Sequence, residues 1–485
     1  MIFSPLTYKT KKKNMKTISK IYVNGEFVTP HGTEVFDLIN PSTNELAGKV
    51  TLGDEEDTRR AIAAAKAALP ALSATTKEER ISYLERLHAA VLKREEDMVA
   101  AMVEEYGGTL QFSRMSTKFA INAFQDVIET LRTFDFEKMV GSTKVRLEPV
   151  GIAGIITPWN ASNSFICSKL ATAIAAGCTA VIKPSEMSAG QTQVLLEAFH
   201  EAGLPAGIFN VVNGRGEVVG AEITRHPDIA KISFTGSTVV GKTIARSATD
   251  TMKRVTLELG GKSPNILLED ADLQKAIPMA ILAAYMNNGQ ACVAGTRLLV
   301  PESRLEEVNQ LVKAAVAQVK VGNPGNEDTL VGPMVSKKQY ERVQQYIRLG
   351  QEEGAELLIG GEGHPEGLEA GNFVKPTVFT NVKNNMRIAR EEIFGPVLSI
   401  LAYKTEEEAI AIANDTDYGL HAYISSADNE RAERVAAKIS AGRVAINGFQ
   451  HDPQAPFGGF KQSGIGREFG VYGLEAYLEP KSILV

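Results

Sequence analysis

Short runs of β-branched and aliphatic residues alternate with helical stretches from about residue 150 onward, and this alternation constrains the fold most. Five runs predict buried strands, at residues 151–157, 180–183, 208–212, 229–234 and 254–257. The stretches between them predict helices, at residues 169–176, 191–202, 218–225 and 240–247. Strands and helices that alternate at this spacing are typical of βαβ units, so the pattern predicts a parallel sheet.

A second α/β series follows the first one. Its predicted strands are residues 265–268, 296–300, 356–359, 397–403, 421–424 and 443–446. Its predicted helices are residues 304–319, 337–350, 406–414 and 429–439. The glycine-containing stretch 360–371 predicts a surface loop. No internal repeat or low-complexity linker separates the two series, so we expect them to pack closely together.

The N-terminal part of the chain is predicted to be helical. Residues 54–70 are rich in alanine and acidic at their start, which predicts one helix. Thr75 and Thr76 lie three residues before Glu78 and Glu79, a capping-box pattern that opens a second helical stretch. This second stretch is predicted to extend to about residue 106.

Length and charge exclude several classes of protein. A chain of 485 residues exceeds the roughly 250–300 residues at which a single core stops growing, so more than one domain is expected. The formal net charge of -6 argues against nucleic acid as a partner, because phosphate binding needs a basic surface. No apolar run reaches the roughly 18 residues of a membrane span. No apolar core follows the basic cluster at residues 9–16, as a secretory signal requires.

Cysteine usage points to a reducing compartment. The chain has three cysteines, an odd number without the spacing of a zinc site or a disulfide framework. We therefore expect a cytoplasmic protein and predict no metal site.

Cys292 ends a polar, glycine-containing segment, Asn-Asn-Gly-Gln-Ala-Cys at 287–292, which suits an exposed turn at a functional site. A thiolate in such a setting is a strong nucleophile for a carbonyl carbon. The alternative is a small buried hydrophobic residue, the commoner role of a lone cysteine.

Two other polar residues follow predicted strands. Glu258 precedes Gly260 and Gly261, and a buried carboxylate there has a raised pKa suited to activating water. The alternative is a solvated turn. Asn160 ends the sequence Thr-Pro-Trp-Asn, and its amide could stabilise an oxyanion, a contribution of about 2.7–4 kcal/mol. The alternative for Asn160 is a cap for backbone groups.

Polar turns follow three consecutive predicted strands, and the last two contain glycines. Glycine-rich turns at helix N-termini are natural phosphate-binding sites. Each turn is a weak signal alone, but their repeated placement after strands favours a nucleotide cofactor. The turns are Lys183-Pro184-Ser185-Glu186, then Gly214, Gly216 and Gly220, then Phe234-Thr235-Gly236-Ser237 with Gly241.

Two late segments combine glycine with aromatic residues, which suits close approach of the backbone to a flat ligand. The first is 391–396, Glu-Glu-Ile-Phe-Gly-Pro. The second comprises 456–459, Pro-Phe-Gly-Gly, and 463–468, Ser-Gly-Ile-Gly-Arg-Glu. For the second segment, an ordinary structural loop is at least as good an interpretation.

Taken together, these segments resemble the aldehyde dehydrogenase superfamily, in the family's order, from about Tyr22 to the C-terminus. The resemblance implies that Cys292 is the catalytic nucleophile and Glu258 the general base. It implies that Asn160 holds the oxyanion together with the backbone N–H of Cys292. Lys169 and Glu468 match positions proposed to relay protons away from the base.

The resemblance also implies a nicotinamide dinucleotide site. Lys183 and Glu186 match residues that hold the adenosine ribose, and Gly236 and Ser237 match the turn beside the pyrophosphate. Glu392 and Phe394 match residues that hold the nicotinamide ribose and ring, with Trp159 on the adjoining wall. The other members of the predicted cofactor site are Thr157, Pro158, Ser185, Gly216, Gly220, Phe234, Thr235, Leu259 and Gly260.

Substrate and cofactor preference follow from local chemistry. Residues 161–163, Ala-Ser-Asn, depart from the family's usual apolar sequence near the substrate tunnel, so a typical hydrophobic aldehyde is not assured. Ala291 and Val293 carry no charge with which to bind a substrate carboxylate. Glu186 would repel a 2′-phosphate, which predicts NAD over NADP, although Lys183 offsets part of that repulsion.

Three rival functions are open at this point. A CoA-acylating dehydrogenase shares the cysteine, but Glu258 argues against it because hydrolysis needs a base. A non-catalytic relative should lose the cysteine or the base, and both are present. An unrelated cysteine hydrolase would need a histidine beside the nucleophile. No histidine lies near Cys292 in the sequence, although a distant one would serve.

The resemblance implies a Rossmann-like cofactor domain, an α/β catalytic domain and a small β element for oligomerisation. The predicted cofactor domain comprises residues 1–137, 156–259 and 447–473, and the catalytic domain comprises 260–446. The oligomerisation element comprises 138–155 and 474–485, whose strands could pair across subunits. A homodimer or homotetramer is therefore expected.

Overall fold

The described part of the chain, residues 16–484 of a computed structural model, contains two large sheets with parallel centres and two three-stranded sheets, β1-β5-β4 and β21-β7-β6. The strands are β1 (Lys16–Ile18), β2 (Ile21–Val23), β3 (Glu26–Val28), β4 (Val35–Ile39), β5 (Leu46–Thr51), β6 (Glu137–Val140), β7 (Thr143–Pro149), β8 (Ile152–Ile156), β9 (Ala180–Lys183), β10 (Phe209–Val211), β11 (Ile229–Thr235), β12 (Arg254–Glu258), β13 (Pro264–Leu267), β14 (Arg297–Pro301), β15 (Glu356–Ile359), β16 (Thr377–Thr380), β17 (Val397–Tyr403), β18 (His421–Ser425), β19 (Arg443–Ile446), β20 (Gly464–Ile465) and β21 (Leu478–Ile483). The helices are α1 (Glu55–Ser73), α2 (Lys77–Leu92), α3 (Glu95–Glu105), α4 (Leu110–Thr133), α5 (Ser162–Ala176), α6 (Ala189–Ala202), α7 (Ala221–Arg225), α8 (Thr238–Ala248), α9 (Leu273–Tyr285), α10 (Leu305–Ala317), α11 (Lys337–Glu352), α12 (Arg387–Arg390), α13 (Glu406–Asn414), α14 (Asn429–Ala436) and α15 (Gly470–Glu475). The predicted α/β fold is confirmed.

The first sheet has eight strands in the order β20-β12-β11-β8-β9-β10-β2-β3. Its five central strands, β8 to β12, are parallel and coincide with the five strands predicted from the alternating pattern. The edge strands β20, β2 and β3 pair antiparallel and were not predicted. Apolar side chains cover both faces of this sheet in two separate core clusters.

The second sheet has seven strands in the order β15-β16-β17-β14-β13-β18-β19. All its pairs are parallel except β15 with β16. The six predicted strands of this series are present. The additional strand β16 has only four residues, too few to show a clear pattern.

Two long helices escaped prediction. Helix α9 contains Pro278. Proline usually interrupts a helix, but this helix continues through it. Helix α4 is rich in serine, threonine and phenylalanine, which are weak helix formers. Its stability comes instead from packing, because Ile121, Phe124 and Ile128 are buried in the first core cluster.

Side-chain capping fixes where the N-terminal helices begin. Asp54 caps α1, and Thr76 caps α2 in a reciprocal capping box with Glu79, as the sequence pattern predicted. The single helical stretch predicted to residue 106 is instead two helices, because the chain turns at Lys93 and Arg94 between α2 and α3.

A small sheet, β21-β7-β6, joins the C-terminal strand to the hairpin before the first large sheet. The C-terminal strand pairs antiparallel with β7 along its whole length, from Leu478 with Pro149 to Ile483 with Lys144. This pairing occurs within one chain. Residues 152–155, assigned to the same element from the sequence, lie in β8 of the eight-stranded sheet.

Residues 360–371 contain no helix or strand, as predicted. Most of the basic cluster at residues 9–16 lies outside the described residues. No helix between residues 16 and 484 is long and apolar enough to cross a membrane.

Candidate active site

Glu258 is the last residue of β12, and the loop that follows it crosses from the first large sheet to the second. Two glycines in this loop are required by close packing. A Cβ on Gly260 would lie 2.6 Å from Oε2 of Glu392, and one on Gly261 would lie 2.2 Å from the carbonyl oxygen of Cys292. The backbone N–H of Gly261 also donates to Oε1 of Glu392 at 2.9 Å. The glycine pair therefore lets the loop contact both the cysteine segment and the half-buried carboxylate of Glu392.

The segment before Cys292 is held in a strained conformation by its own amides. Asn287 and Asn288 have φ values of 53° and 59°, in the left-handed region that asparagine tolerates better than most residues. The Asn287 amide donates to the carbonyl of Asn160 at 3.1 Å. The Asn288 amide donates to the carbonyls of Gly107 and Pro333 at 2.9 and 3.1 Å. These bonds fix the position of the cysteine that follows.

Asn160 lies directly against the cysteine segment. Its side chain is 7% exposed, and its amide nitrogen donates to the carbonyl oxygen of Gln290 at 2.9 Å. Gln290 in turn donates to the hydroxyl of Tyr106, which donates to the side chain of Asn287 at 2.7 Å. The predicted oxyanion residue is therefore part of the network that positions the cysteine loop.

Cys292 is partly exposed, whereas Cys167 and Cys178 are buried, and all three are free. Burial of its thiol raises the pKa of Cys292 to about 12, and the negative charges of Glu392 and Glu258 raise it further in the same direction. The backbone N–H groups of Cys292 and Val293 lower this pKa because they bond to the sulfur. Cys292 is thus the one cysteine that combines access with facing carboxylates.

Glu258 is an unusual buried carboxylate. Its side chain is 3% exposed, and neither of its oxygens has a hydrogen-bond partner among residues 16–484. Burial raises the pKa of Glu258 well above its ordinary value, and the nearby charge of Glu468 adds to this effect. Lys169, Arg467 and Arg443 act in the opposite direction. A carboxylate without partners is free to bond to a water molecule or a substrate.

The predicted pair Lys169 and Glu468 is in direct contact, and both charges act on Glu258. Lys169 is almost completely buried in α5, and its ammonium also donates to Ser233 Oγ at 3.1 Å. Ser233 Oγ lies 3.4 Å from Oε1 of the same glutamate. The structure therefore brings Cys292, Glu258, Asn160, Lys169 and Glu468 to one region.

Three charged residues form the far end of the predicted cofactor site. Lys183 lies 3.1 Å from Glu186, and a guanidinium nitrogen of Arg215 lies 3.9 Å from the other oxygen of that glutamate. Arg215 also pairs with Glu34 at 2.7 Å. Ser185 caps the turn by accepting from the N–H of Met187 at 3.3 Å. Arg215 lies within the predicted glycine turn, but the glycine pattern did not single it out.

The predicted phosphate turns are built differently from one another. Gly216 and Gly220 lie in a short π-helical turn that leads into α7, and a Cβ on Gly216 would have no atom within 4 Å. Ser237 caps α8 by accepting from the N–H of Val240 at 3.4 Å. Val240 and its neighbour Val239 are exposed at the start of α8 and were not predicted. Open space and exposed apolar side chains thus flank the turns.

The N–H of Gly236 donates to the carbonyl of Glu258 at 3.0 Å, which ties the Ser237 turn to the strand carrying the base. Phe234 and Leu259 are buried in the second core cluster beneath this turn. The hydroxyl oxygens of Thr157 and Thr235 are buried without a partner. The hydroxyls of these two threonines, at the carboxyl ends of β8 and β11, can therefore still form hydrogen bonds to a ligand.

The aromatic wall near the cysteine consists of three rings in series. Trp159 contacts Tyr106 at 5.7 Å and Phe394 at 5.5 Å between ring centroids. Phe394 has a φ of 62°, an uncommon conformation for a bulky residue, and lies two residues after the half-buried Glu392. Burial raises the pKa of Glu392 to about 7. Pro158 is half-buried beside Trp159.

The aromatic residues in and beside the second late segment have a structural role, whereas Glu468 at its end belongs to the cluster around Glu258. The aromatic rings lie against arginines, with Arg443 over Phe457 at 5.2 Å and Arg467 over Phe460 at 5.4 Å. The hydroxyl of Ser463 donates to the carbonyl of Gly260 at 2.7 Å. The structural-loop interpretation therefore fits these aromatics better than a cradle for a flat ligand.

Sequence patterns also missed Lys262, which is 2% exposed and whose ammonium has no hydrogen-bond partner. Burial lowers the pKa of Lys262 to about 7, with the charge of Arg297 acting in the same direction and Glu392 opposing it. No group of three or more His, Cys, Asp or Glu side chains suited to a metal ion occurs in residues 16–484.

Comparison with known proteins agrees with this architecture. Residues 27–483 match the model of the aldehyde dehydrogenase family. A 3-succinoylsemialdehyde-pyridine dehydrogenase from a Pseudomonas species is 45% identical over 472 residues, which cover 97% of this chain and 99% of that protein.

Solved structures give the same result. A cysteine-to-alanine mutant of aldehyde dehydrogenase C from Pseudomonas syringae, in complex with NAD+ and octanal, superposes with a TM-score of 0.94 at 45% identity, covering 96% of each chain. A Mycobacterium tuberculosis aldehyde dehydrogenase complexed with NAD+ gives 0.95 at 39% identity, covering 97% of this chain and 99% of that one. The fold and the site thus define an oxidoreductase of the nicotinamide-dependent class. The chain belongs to the aldehyde dehydrogenase family, as the sequence resemblance predicted.

Proposed function

We propose that this enzyme oxidises an aldehyde to a carboxylic acid with NAD+ and water, through a thioester on Cys292. One observation carries the proposal. Glu258 is buried without a hydrogen-bond partner, and it lies close enough to Cys292 for its charge to raise the pKa of the thiol. A nucleophile facing an unpartnered base is the arrangement that covalent catalysis followed by hydrolysis requires.

The first half of the reaction uses the cysteine loop. The sulfur of Cys292 bonds to the aldehyde carbon, and the carbonyl π electrons move to oxygen. The backbone N–H of Cys292 and the amide of Asn160 would stabilise that oxyanion, once the Asn160 amide exchanges its bond to Gln290 O for the substrate. Bound NAD+ would accept the hydride and supply a positive ring charge that favours ionisation of Cys292.

The second half of the reaction, hydrolysis of the thioester, uses Glu258 as the base. Water gives a proton to Glu258 while its oxygen bonds to the acyl carbon, and the carbon–sulfur bond then breaks and returns the thiolate. The raised pKa of Glu258 makes it a stronger base than an exposed carboxylate. The carboxylate of Glu468, which contacts the Lys169 ammonium, would accept the proton from Glu258 and restore the base.

The side chains fit a dinucleotide at the predicted site. Glu186 offers carboxylate oxygens to a ribose, and Gly216 leaves open space where a phosphate could approach the backbone. Lys183 already pairs with Glu186, so its charge is not free to bind a 2′-phosphate. This pairing supports the predicted preference for NAD over NADP.

The substrate we propose is an uncharged aldehyde. Ala291 and Val293, which flank the nucleophile, carry no charge, and the carbonyl of Val293 accepts from Tyr423, whose ring contacts Phe449 at 5.8 Å. The relatives described above act on a pyridine semialdehyde and bind octanal, neither of which is named as an acid. These features favour aromatic or aliphatic aldehydes over carboxylated ones.

A panel of aldehydes graded by length and charge, with NADH formation as the readout, tests the proposal. Cys292→Ala should abolish NADH formation, whereas the matched variant Cys167→Ala, at a buried cysteine of the core, should keep it. Equal rates for wild type and Cys292→Ala would refute the assignment. Adding CoA distinguishes this proposal from a CoA-acylating dehydrogenase, because strict dependence on CoA would identify an acylating enzyme.

We also propose that the chain forms a homodimer or homotetramer through the small sheet and acts in the cytoplasm. Its edge strand β6 exposes Met139 and Val140, at 61% and 55%. An exposed apolar edge strand is a surface that a second copy can extend. Light scattering of wild type and Met139→Lys, Val140→Lys would test this, and an unchanged mass would argue against this edge. The three free cysteines suit a reducing compartment.

A further inference from the structure

Arg443 is the first residue of β19, and its guanidinium binds the loop that follows the strand. Its Nε donates to the carbonyl of Pro456 at 3.0 Å, and its Nη2 donates to the carbonyls of Asp452 and Ala455 at 2.9 and 2.7 Å. Its Nη1 donates to Nδ1 of His451 at 3.3 Å. All three nitrogens of the guanidinium therefore bind one short segment, residues 451–456.

Two aromatic rings and one backbone pair complete the anchoring of this segment. The guanidinium of Arg443 lies 5.2 Å from the centre of the Phe457 ring and 5.8 Å from that of Phe469. The N–H of Phe457 donates to the carbonyl of Glu468 at 2.8 Å, and the N–H of Glu468 donates back at 2.7 Å. A planar guanidinium can stack on a ring while it donates in several directions, which an ammonium cannot reproduce.

The anchored segment leads directly to Gly458, which lies against the base. A Cβ on Gly458 would lie 2.7 Å from Oε1 of Glu258. On its other side, a Cβ on Gly442, the residue before Arg443, would lie 1.6 Å from the carbonyl oxygen of Gly458. The backbone at 458 is therefore packed between the start of β19 and the carboxylate of Glu258.

Packing of this kind matters for Glu258 because hydrogen bonds do not orient its carboxylate. Both of its oxygens are buried without a hydrogen-bond partner in the part of the chain from residue 16 to 484. A buried side chain in a reactive site is normally held by hydrogen bonds from its neighbours. Here the direction of the carboxylate depends on the atoms in contact with it, and Gly458 supplies such a contact.

We propose that Arg443 is a positioning residue for hydrolysis, because it folds residues 451–458 into the conformation that orients Glu258 for its attack on water. The inference rests on the proposed function of Glu258. The proton moves from water to Glu258 as described above, and Arg443 neither gives nor accepts one. Arg443 therefore acts on the second half of the reaction and not on the first.

Rapid mixing of Arg443→Met with NAD+ and the best aldehyde of the graded panel tests the proposal. The first equivalent of NADH should form at the wild-type rate, because acylation of Cys292 does not use the base. The following steady state should be slower by on the order of 10²-fold, as expected for a base displaced by about 1 Å. A loss of general structure would instead slow both phases together.

Arg443→Lys separates the position of the loop from the charge of the arginine. Lysine keeps the positive charge near Glu258 but cannot bind the three carbonyls with one planar fork. It should show the same slow steady state after a normal first equivalent. A wild-type steady state in Arg443→Lys would overturn the proposal, because charge alone would then be sufficient.

Gly458→Ala disturbs the same contact while leaving Arg443 in place, and its methyl would lie against Oε1 of Glu258. It should give the same separation of the two phases. Gly354→Ala is its matched control, because Gly354 also has a positive φ, of 87°, but a Cβ there would meet no atom within 4 Å. Arg86→Met is the control for Arg443→Met, since Arg86 also binds a backbone carbonyl, that of Ala202 at 2.9 and 2.6 Å. Both controls should match wild type in both phases.

The double variant Glu258→Gln, Arg443→Met should turn over no more slowly than Glu258→Gln alone, because both changes act on one step. Additive losses, or a normal steady state in Arg443→Met, would overturn the proposal. If Arg443→Met does not fold, Gly458→Ala with a normal steady state has the same meaning. Wild-type enzyme that forms no NADH with any aldehyde would refute the proposed function instead, whereas the Arg443 inference is judged only on the ratio of the two phases.

Discussion

Gly261→Ala should inactivate the enzyme through a displacement that the structure allows us to calculate. The φ of Gly261 lies outside the left-handed region, so alanine suits its backbone, and the only obstacle is the new methyl group. That methyl would lie 2.2 Å from the carbonyl oxygen of Cys292. Because real Cβ contacts under 3.0 Å essentially do not occur, the cysteine loop must move by about 0.8 Å.

A misplacement of about 1 Å at a reacting group costs on the order of 10²-fold in rate. We therefore expect kcat/KM for an aldehyde to fall by about 100-fold, or about 2.7 kcal/mol in the barrier. Steady-state NADH formation measures this, and the alkylation rate of Cys292 by iodoacetamide shows whether the thiol has moved.

Gly322→Ala is the matched control, because its methyl would come no closer than 3.7 Å to Thr329. It should retain full activity. A Gly261→Ala enzyme with the stability of wild type and a kcat/KM within twofold of it would refute the argument that this close approach positions the nucleophile.

Three further predictions follow from the charges of the site. Glu258→Gln should form one equivalent of NADH in a burst and then turn over about 10²–10⁴-fold more slowly, because acylation does not need the base; loss of the burst would contradict this assignment. In the cofactor-free enzyme, alkylation of Cys292 should accelerate about tenfold per pH unit from pH 7 to 10, since its pKa is raised to about 12 and the thiolate fraction grows until that pH. Mass spectrometry follows this reaction, and a plateau near neutral pH would show an ionised thiol. Glu186→Gln should raise the NADP-to-NAD ratio of kcat/KM about tenfold by removing one negative charge near the ribose, and an unchanged ratio would place the cofactor elsewhere.

The fold could be predicted wherever local pattern and tertiary role agree. The five central strands of the first sheet are continuous apolar runs bounded by turns, which is what a strand covered on both faces requires. Helix α9 could not be predicted, because Pro278 is tolerated only through packing in the third core cluster. The edge strands β2 and β3 have three residues each, too few for a periodic signal.

Some residues of the candidate site could likewise be predicted from the sequence, and others could not. Cys292 and Glu258 lie in or beside polar, glycine-containing segments, so their unusual setting is visible in the sequence. Tyr106 and Arg215 are different, because the first reaches the cysteine loop from 181 residues away and the second reaches Glu34 across a similar distance. Both contacts form only when segments that are distant in the sequence meet in the folded protein.

Asn288, which has left-handed backbone geometry, is a position where loss of the side-chain amide would release the cysteine loop. An asparagine followed by glycine is the pair most prone to lose its amide nitrogen, and Asn288 precedes Gly289. Here that nitrogen supplies two hydrogen bonds to carbonyl oxygens of separate segments. Deamidation would replace this donor with a buried anion facing both oxygens, and the loop would lose its anchor. Loss of this one amide nitrogen would therefore release the loop four residues from the nucleophile, without any oxidation of the thiol.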